Sequence, residues 1–124
     1  MNEDDKKILS KDSDGLLTYE YIANHINEID DDMDFLVENM IQVDTTGQFL
    51  VSAARYLFLI DGEKYREPIT RLIAAAIEKD RERRYIGDLL PAIWGEDYAN
   101  RAEELKLTDN NFRRIYKRMF PTGI

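Results

Sequence analysis

The chain has 124 residues, 44% of them hydrophobic, which fits one folded domain with a core of its own. It contains no cysteine, which excludes disulfide scaffolds and thiolate metal sites, and its single histidine, His25, excludes histidine-rich metal sites. A net charge of −8 disfavours a general binder of nucleic acid or of anionic membranes. We predict no bound metal and no cofactor.

The charge is divided unevenly along the chain. Residues 1–45 carry 13 acidic and 3 basic side chains, whereas residues 46–124 carry 12 acidic and 14 basic ones. The acidic start lacks the apolar region of a signal peptide, and the most apolar stretch, 49–60, is shorter than the roughly 20 residues of a membrane helix. We therefore expect a cytoplasmic protein with no membrane contact, with residues 1–15 as a flexible acidic N-terminus and residues 16–124 as one domain.

Apolar residues recur at helical spacing along nearly the whole chain, and no stretch alternates as a strand does. The first predicted helix begins at Thr18, and the second follows the acidic residues 30–34. The third begins at Thr45, where a Thr-x-x-Gln sequence has the form of a capping box. This third helix is apolar on almost every side, which predicts burial all round, and Gly62 is expected to end it in the left-handed conformation.

The second half of the sequence contains four further predicted helices. They are centred on 69–77 with Pro68 in the first turn, on about 85–94, on 96–107, and on a stretch that runs from a Thr108 or Asp109 cap to Phe120. Helical segments joined by short turns predict an all-α fold, a compact single domain of about six or seven helices arranged as antiparallel helical hairpins.

A weak internal repeat has an offset of 33 residues. The segment Leu57-x-x-Ile60-x-Gly62-Glu63-x-Tyr65 aligns with Leu90-x-x-Ile93-x-Gly95-Glu96-x-Tyr98. The stretch 53–80 resembles one hairpin of a tetratricopeptide or HEAT-type array, in which helix pairs repeat at a similar period. The resemblance implies a protein-binding surface on the exposed sides of the hairpins.

Residues 10–21 resemble an EF-hand calcium loop, with Asp12 and Asp14 at two ligand positions. Ser10 replaces the first aspartate of that loop and Tyr21 replaces its bidentate glutamate, so the ligand cage is not closed. We predict a turn that leads into a helix. The DDxxD pattern at 30–34 resembles the metal–diphosphate motif of isoprenoid enzymes, but this chain is too short for their apolar cavity, and we predict a solvated helix start.

No catalytic residue is singled out by the sequence. His25 and Glu28 form one H-x-x-E step, whereas a di-iron bundle needs two Glu-x-x-His motifs, and no nucleophile elbow or phosphate loop accompanies them. We predict that His25 is a partly buried structural residue. An enzyme that uses a pair of carboxylates is the second alternative for the function, although nothing selects one pair of acidic residues from the rest.

The C-terminal segment 100–117 resembles a helix-turn-helix unit. Ala102 lies where the first helix needs a small residue, and Phe112 and Ile115 occupy the apolar positions of the second helix. On DNA, basic side chains of the last helix would contact phosphates and base edges. These nucleic-acid-binding candidates are Arg113, Arg114, Lys117 and Arg118.

The leading hypothesis is a small non-catalytic protein that binds another protein, as an adaptor or an inhibitor. A strongly acidic helical domain favours a basic partner and predicts association that weakens with salt. The candidate partner-binding residues are the acids around the second helix start, Asp30, Asp31, Asp32, Asp34 and Glu38. The alternative is a DNA-binding transcription regulator that uses the basic C-terminal helix.

Overall fold

The computed structural model describes residues 1–122, and every regular element in this range is helical, which confirms the all-α prediction. The α-helices of this range, one more than the upper predicted number, are α1 Glu3–Ser10, α2 Leu16–Asn24, α3 Met33–Val43, α4 Gln48–Asp61, α5 Arg66–Lys79, α6 Leu89–Trp94, α7 Ala102–Thr108 and α8 Asn110–Met119. Short 3₁₀ helices at Asp30–Asp32, Ile86–Asp88 and Tyr98–Arg101 lead into α3, α6 and α7.

The helices form two layers. Helices α2, α4 and α6 contact one another in that order, and helices α3, α5 and α8 do the same in the second layer. The pairs α2–α3, α4–α5 and α6–α8 therefore lie side by side as successive helical hairpins. Helix α7 packs on α8, and α1 packs on α3.

The core lies between the two layers. Leu36, Leu57, Leu72 and Phe112 come from four different helices and are completely buried. Removing one such side chain from water stabilises the fold by about 1.5–3 kcal/mol. The Trp94 ring meets the edge of Phe112 with centroids 5.3 Å apart, which fixes the end of α6 against α8.

The turn between α3 and α4 is built around the buried carboxylate of Asp44. One of its oxygens accepts hydrogen bonds from the amides of Phe49 and Leu50, each at 2.9 Å, and the other binds the amides two and three residues after the aspartate. The first amides of a helix have no intrahelical partner, so this carboxylate caps α4. The capping box predicted at Thr45 was wrong, and α4 begins three residues later, at Gln48.

The same turn begins each of the three hairpins. The carboxylate of Asp12 accepts a hydrogen bond from the amide of Thr18, and that of Asp80 accepts one from Ile86, both at 2.8 Å and both six residues away. Three residues after each aspartate the backbone is left-handed, with φ of 107° at Gly15, 93° at Gly47 and 58° at Arg83. We call these segments, 12–18, 44–50 and 80–86, the aspartate turns.

The aspartate turns do not follow the 33-residue alignment. Their aspartates are 32 and 36 residues apart. The aligned glycines also differ, because Gly62 is right-handed with φ of −64° whereas Gly95 has φ of 96°. Helix α4 ends at Asp61 as predicted, but the left-handed conformation predicted for Gly62 was wrong.

The N-terminal segment also contains a helix. Helix α1 occupies Glu3–Ser10, its Leu9 side chain is buried, and the Asn39 side chain of α3 donates a hydrogen bond to the Leu9 carbonyl at 2.9 Å. These contacts join α1 to the first hairpin. The flexibility expected of residues 1–15 stays a prediction about motion in solution.

Candidate functional site

The hairpins have two chemically different ends. We call the turn end the one formed by the aspartate turns and the C-terminal ends of α5 and α8. We call the corner end the opposite one, formed by the segments 25–34, 61–67 and 95–109, which connect the two helices of each hairpin. Helix α4 runs from one end to the other, a length of about 20 Å for its 14 residues.

Acidic side chains are concentrated at the corner end. The segments 25–34 and 95–109 contain far more acids than bases, and the loop 61–67 adds Asp61, Glu63 and Glu67. At the turn end, in contrast, Asp12, Asp44 and Asp80 are buried as helix caps. In the fold, the acids of residues 25–34 therefore lie at the same end of the hairpins as those of 61–67 and 95–109.

Two of the predicted partner-binding acids are held by contacts within the domain. The carboxylate of Asp30 lies 2.8 Å from the Lys64 ammonium and accepts a hydrogen bond from the Tyr65 hydroxyl at 3.1 Å. The hydrogen bond from Lys64 is the main reason why the pKa of Asp30 lies below its usual value. The carboxylate of Asp32 lies 3.4 Å from the amino group of Met1.

Arg71 of α5 holds two more of these acids. Its guanidinium contacts Asp34 at 3.1 Å and Glu67 at 3.2 Å, and it also binds Glu38. Burial alone would lower the pKa of Arg71, but the hydrogen bond with Glu38 and the charge of Glu67 raise it. Asp31, the fifth predicted acid, is exposed and has no ion pair within residues 1–122.

A groove with a volume of about 570 Å³ opens at the corner end, between the end of α4, the first half of α5 and the helices α6 and α8. Clefts of this size hold ligand-sized groups or protein side chains. Polar groups line its rim, with the acids Asp61, Glu63 and Asp109 and the single base Arg66. The apolar lining consists of Phe58, Ile69, Ile73, Ile93 and Trp94.

Hydrogen bonds fix one wall of this groove. The indole nitrogen of Trp94 donates to one oxygen of Asp109 at 2.8 Å, and the other oxygen of Asp109 accepts the amide of Phe112 at 3.1 Å. Asp109, one of the two caps predicted for this helix, thus caps α8 while it orients the indole. On the same wall, the side chain of Asn111 donates to the Thr70 carbonyl at 3.2 Å. This wall of the groove is therefore formed by groups that hydrogen bonds hold in place.

Exposed apolar side chains continue from the groove. At the last turn of α4, Phe58 is 37% exposed, Leu59 81% and Ile60 48%, so the predicted burial of this helix on all sides was wrong there. Contiguous exposed apolar surface marks interaction sites. This patch was not predicted from the sequence. Its signal was the helix itself, because a helix that is apolar on all sides in so small a domain leaves more apolar surface than its neighbours can cover.

A second, smaller cavity of about 290 Å³ lies on the other side of the α4–α5 loop, beside Asp30 and Asp34. Lys64 and Glu67 line this cavity, whereas Glu63 and Arg66 line the larger groove. The predicted acids and the apolar groove are therefore neighbours around one loop. We call this combined region the corner surface, formed by residues 30–38, 58–67, 93–94 and 109.

The C-terminal basic helix differs from a helix-turn-helix unit. A single residue, Asp109, separates α7 from α8, whereas that unit has a turn of three or four residues. Two of the predicted DNA-binding side chains are held by the domain: Arg114 pairs with Glu78 at 2.5 Å, and Arg118 donates to the Asp80 carbonyl at 3.2 Å. The other two, Arg113 and Lys117, are exposed.

The remaining candidate residues take part in packing and turns. His25 is half-buried, stacks on Tyr21 with ring centroids 4.0 Å apart, and lies 2.9 Å from the Tyr21 carbonyl through Nδ1. The carboxylate of Asp12 binds amides and the Thr18 hydroxyl of its own turn. Within residues 1–122 no three acidic or histidine side chains are arranged to hold a metal ion.

No helix in the described range has both the length and the apolar character needed to cross a membrane. Comparison of the chain with models of protein families, with curated proteins and with solved structures finds no match.

Proposed function

We propose that this chain is a non-catalytic protein-binding domain whose corner surface binds a basic partner protein. The observation that carries the proposal is the apolar patch of Phe58, Leu59 and Ile60, which is exposed beside a groove with an acidic rim. Exposed apolar side chains contribute no free energy of burial to the fold. A partner that covers them removes them from water and gains this free energy.

The charge around the patch determines the kind of partner. Carboxylates outnumber cations along the corner surface. Its cations, Lys64 and Arg66, and the adjacent Arg71 already pair with acids of this domain. An incoming cationic group therefore meets an excess of negative charge, which accelerates encounter and disfavours acidic partners. The predicted acids act in this proposal mainly through this field, since four of the five are engaged internally.

The shape of the groove indicates how the partner is held. An apolar side chain would enter between Phe58, Ile73 and Ile93, where it is removed from water. Lysine or arginine residues beside that anchor would lie against the rim acids Asp61 and Glu63. Interfaces of this kind obtain most of their affinity from one or two buried anchors within a polar rim.

Selection from a library of random displayed peptides tests this chemistry directly. We expect the peptides that bind to combine an aromatic or aliphatic residue with neighbouring lysine or arginine, and their affinity to fall as salt is raised. Peptides that are acidic, or binders without an apolar residue, would contradict the proposal.

Two variants locate the binding surface in the same experiment. Leu59→Glu puts a charge into the exposed patch and should abolish binding of the selected peptides. Leu17→Glu is the matched control, because Leu17 is 49% exposed on α2, close to the turn end. Equal binding by both variants would exclude the corner surface as the binding site.

A further inference from the structure

The turn end has a basic surface, of which only the residues on α8 were predicted from the sequence. Arg83 donates a hydrogen bond to the carbonyl of Arg118, and Arg118 donates to the carbonyl of Asp80, both at 3.2 Å. These bonds join the third aspartate turn to the end of α8. The arginines of that turn therefore extend the row of cations on the last helix.

Some cations of this end are used by the fold. The Lys79 ammonium donates to the carbonyls of Ile41 and Asp44 at the end of α3, where a positive charge also complements the helix dipole. Arg114 and Arg118 are engaged as described above. The exposed cations of the third aspartate turn and of α8 are Arg81, Arg83, Arg84, Arg113 and Lys117. We call this set the basic surface.

Hydroxyl groups and an aromatic ring lie beside these cations. A cavity of about 270 Å³ is lined by Thr45 and Thr46 from the second aspartate turn and, from the end of α5 and the third turn, by Lys79, Asp80, Arg81, Glu82, Arg84 and Tyr85. Guanidinium and hydroxyl donors are the groups that bind phosphate oxygens, and the guanidinium fork can bind two oxygens at once. Arg84 pairs at 2.7 Å with Glu82, but both side chains are well exposed, and such surface pairs exchange readily.

We infer that the basic surface binds the phosphate backbone of a nucleic acid without reading its sequence. Arg113 and Lys117 are four residues apart on α8, about 6 Å along its axis, and the arginines of residues 81–84 continue beyond the helix end. A row of cations matches a polymer in which every unit carries a negative charge, whereas carboxylates on a folded protein are spaced irregularly. Base reading is not expected, because the chain lacks the helix-turn-helix turn.

The net charge of −8 does not oppose this inference. Arg81, Arg83 and Arg84 follow the C-terminal end of α5, whose 14 residues separate them by about 20 Å from the acids of the loop 61–67, more than two Debye lengths at physiological salt. Asp109 lies one helical turn from Arg113, but its carboxylate already binds the Trp94 indole and the Phe112 amide. The basic surface and the corner surface share no residue, so this inference is independent of the proposed protein-binding function, and either can fail without the other.

Fluorescence anisotropy with a labelled duplex DNA and a labelled single-stranded RNA, both of mixed sequence, tests the inference at 50 and 200 mM salt. Arg81→Ala and Lys117→Ala should each weaken binding about three- to tenfold and reduce the salt slope by about 1. Arg55→Ala is the matched control, because it removes one exposed cation from the middle of α4 and should change affinity less than about twofold.

The probes also distinguish between ligands. A preference for DNA or for RNA identifies the backbone that is bound, and either result supports the inference when the two variants weaken binding. Polyglutamate of similar length is the third probe. The inference is overturned by absence of binding to both nucleic acids at 50 mM salt, by variants that behave like Arg55→Ala, or by equal affinity for polyglutamate.

Discussion

Asp44 and Asp80 occupy equivalent positions in consecutive hairpins. Each buried carboxylate accepts the amide hydrogen bond of the residue six positions later, at 2.9 Å for Asp44 and 2.8 Å for Asp80. Each also binds further amides at the start of the next helical segment. Because these amides lack partners within their own helices, the carboxylates determine where the hairpins begin.

Replacement of one of these carboxylates should be costly. Asp44→Ala leaves buried amides unsatisfied at the start of α4, and we expect a loss of about 3 kcal/mol in the free energy of unfolding. Asp14→Ala removes an exposed carboxylate that binds one amide, that of Leu16, and should cost less than about 1 kcal/mol. Urea denaturation measures both, and similar losses for the two variants would refute the capping role of Asp44.

Substitutions three residues after Asp44 and Asp80 should change the stability of the fold in opposite directions. In Gly47→Ala, a Cβ atom would meet Asp80 Cβ at 3.0 Å in a backbone with φ of 93°, so the variant should lose more than about 1 kcal/mol. Arg83, with φ of 58°, strains the same left-handed conformation, and Arg83→Gly should gain up to about 1 kcal/mol. Thermal melting compares them, and a stabilised Gly47→Ala would show that the turns are not equivalent.

Asp12 predicts how stability depends on pH. Burial raises the pKa of this carboxyl, but the hydrogen bonds from the Thr18 hydroxyl and from the amides of Thr18, Gly15 and Asp14 outweigh burial, and the pKa lies below its usual 3.8. A carboxylate with a depressed pKa in the folded state stabilises the fold above pH 3.8 and loses that contribution as pH falls further. We expect the stability advantage of the wild type over Asp12→Asn to be constant above about pH 5 and to shrink below about pH 4. An advantage that grows on acidification would contradict this assignment.

Much of the fold follows from helical periodicity. The centres of α3, α5 and α8 were predicted correctly, and the cap of α8 is one of the two predicted residues, Asp109, because apolar spacing and side-chain caps are local signals. The starts of α2 and α4 were misplaced. In both places the capping aspartate lies four residues before the helix and acts through buried hydrogen bonds. The sequence D-x-x-G, at residues 12–15 and 44–47, marks both turns and could have predicted them.

The site was harder to predict, because it depends on which residues the fold brings together. Sequence alone showed acids at 30–38 and bases at 113–118, but not that Lys64 pairs with Asp30 and Arg71 with Glu38. Nor did it show that residues 81–84 join the second group. Such contacts link residues more than 30 positions apart, so local sequence patterns cannot predict them.

Arg71 gives a prediction that separates stability from binding. Arg71→Gln removes the cation shared by Asp34, Glu38 and Glu67, and exposed ion pairs of this kind contribute about 1 kcal/mol or less. The variant should therefore fold, with slightly lower stability, and its corner surface becomes more negative. We expect the selected basic peptides to bind more tightly at low salt, by about two- to fivefold, as measured by titration calorimetry. Weaker binding would mean that Arg71 itself contacts the partner.

Charge reversal at an exposed acid complements that test. Asp31→Lys should weaken binding of basic peptides about fivefold at low salt, because Asp31 has no internal ion pair to lose within the described chain. Glu20→Lys is its control, since Glu20 is exposed on α2 away from the corner surface. If both variants bind the basic peptides equally weakly, the loss of affinity is due to the change in net charge and not to the corner surface.

Trp94 provides the most direct test of the central claim, that the corner surface binds a basic protein segment. It is the only tryptophan of the chain and it lines the groove. Incorporation of 5-fluorotryptophan gives one ¹⁹F resonance, whose position reports occupation of the groove. We predict that a selected basic peptide shifts this resonance in the wild type and leaves it unchanged in Leu59→Glu, whereas duplex DNA leaves it unchanged in both. Tight peptide binding with no shift in the wild type would contradict the claim.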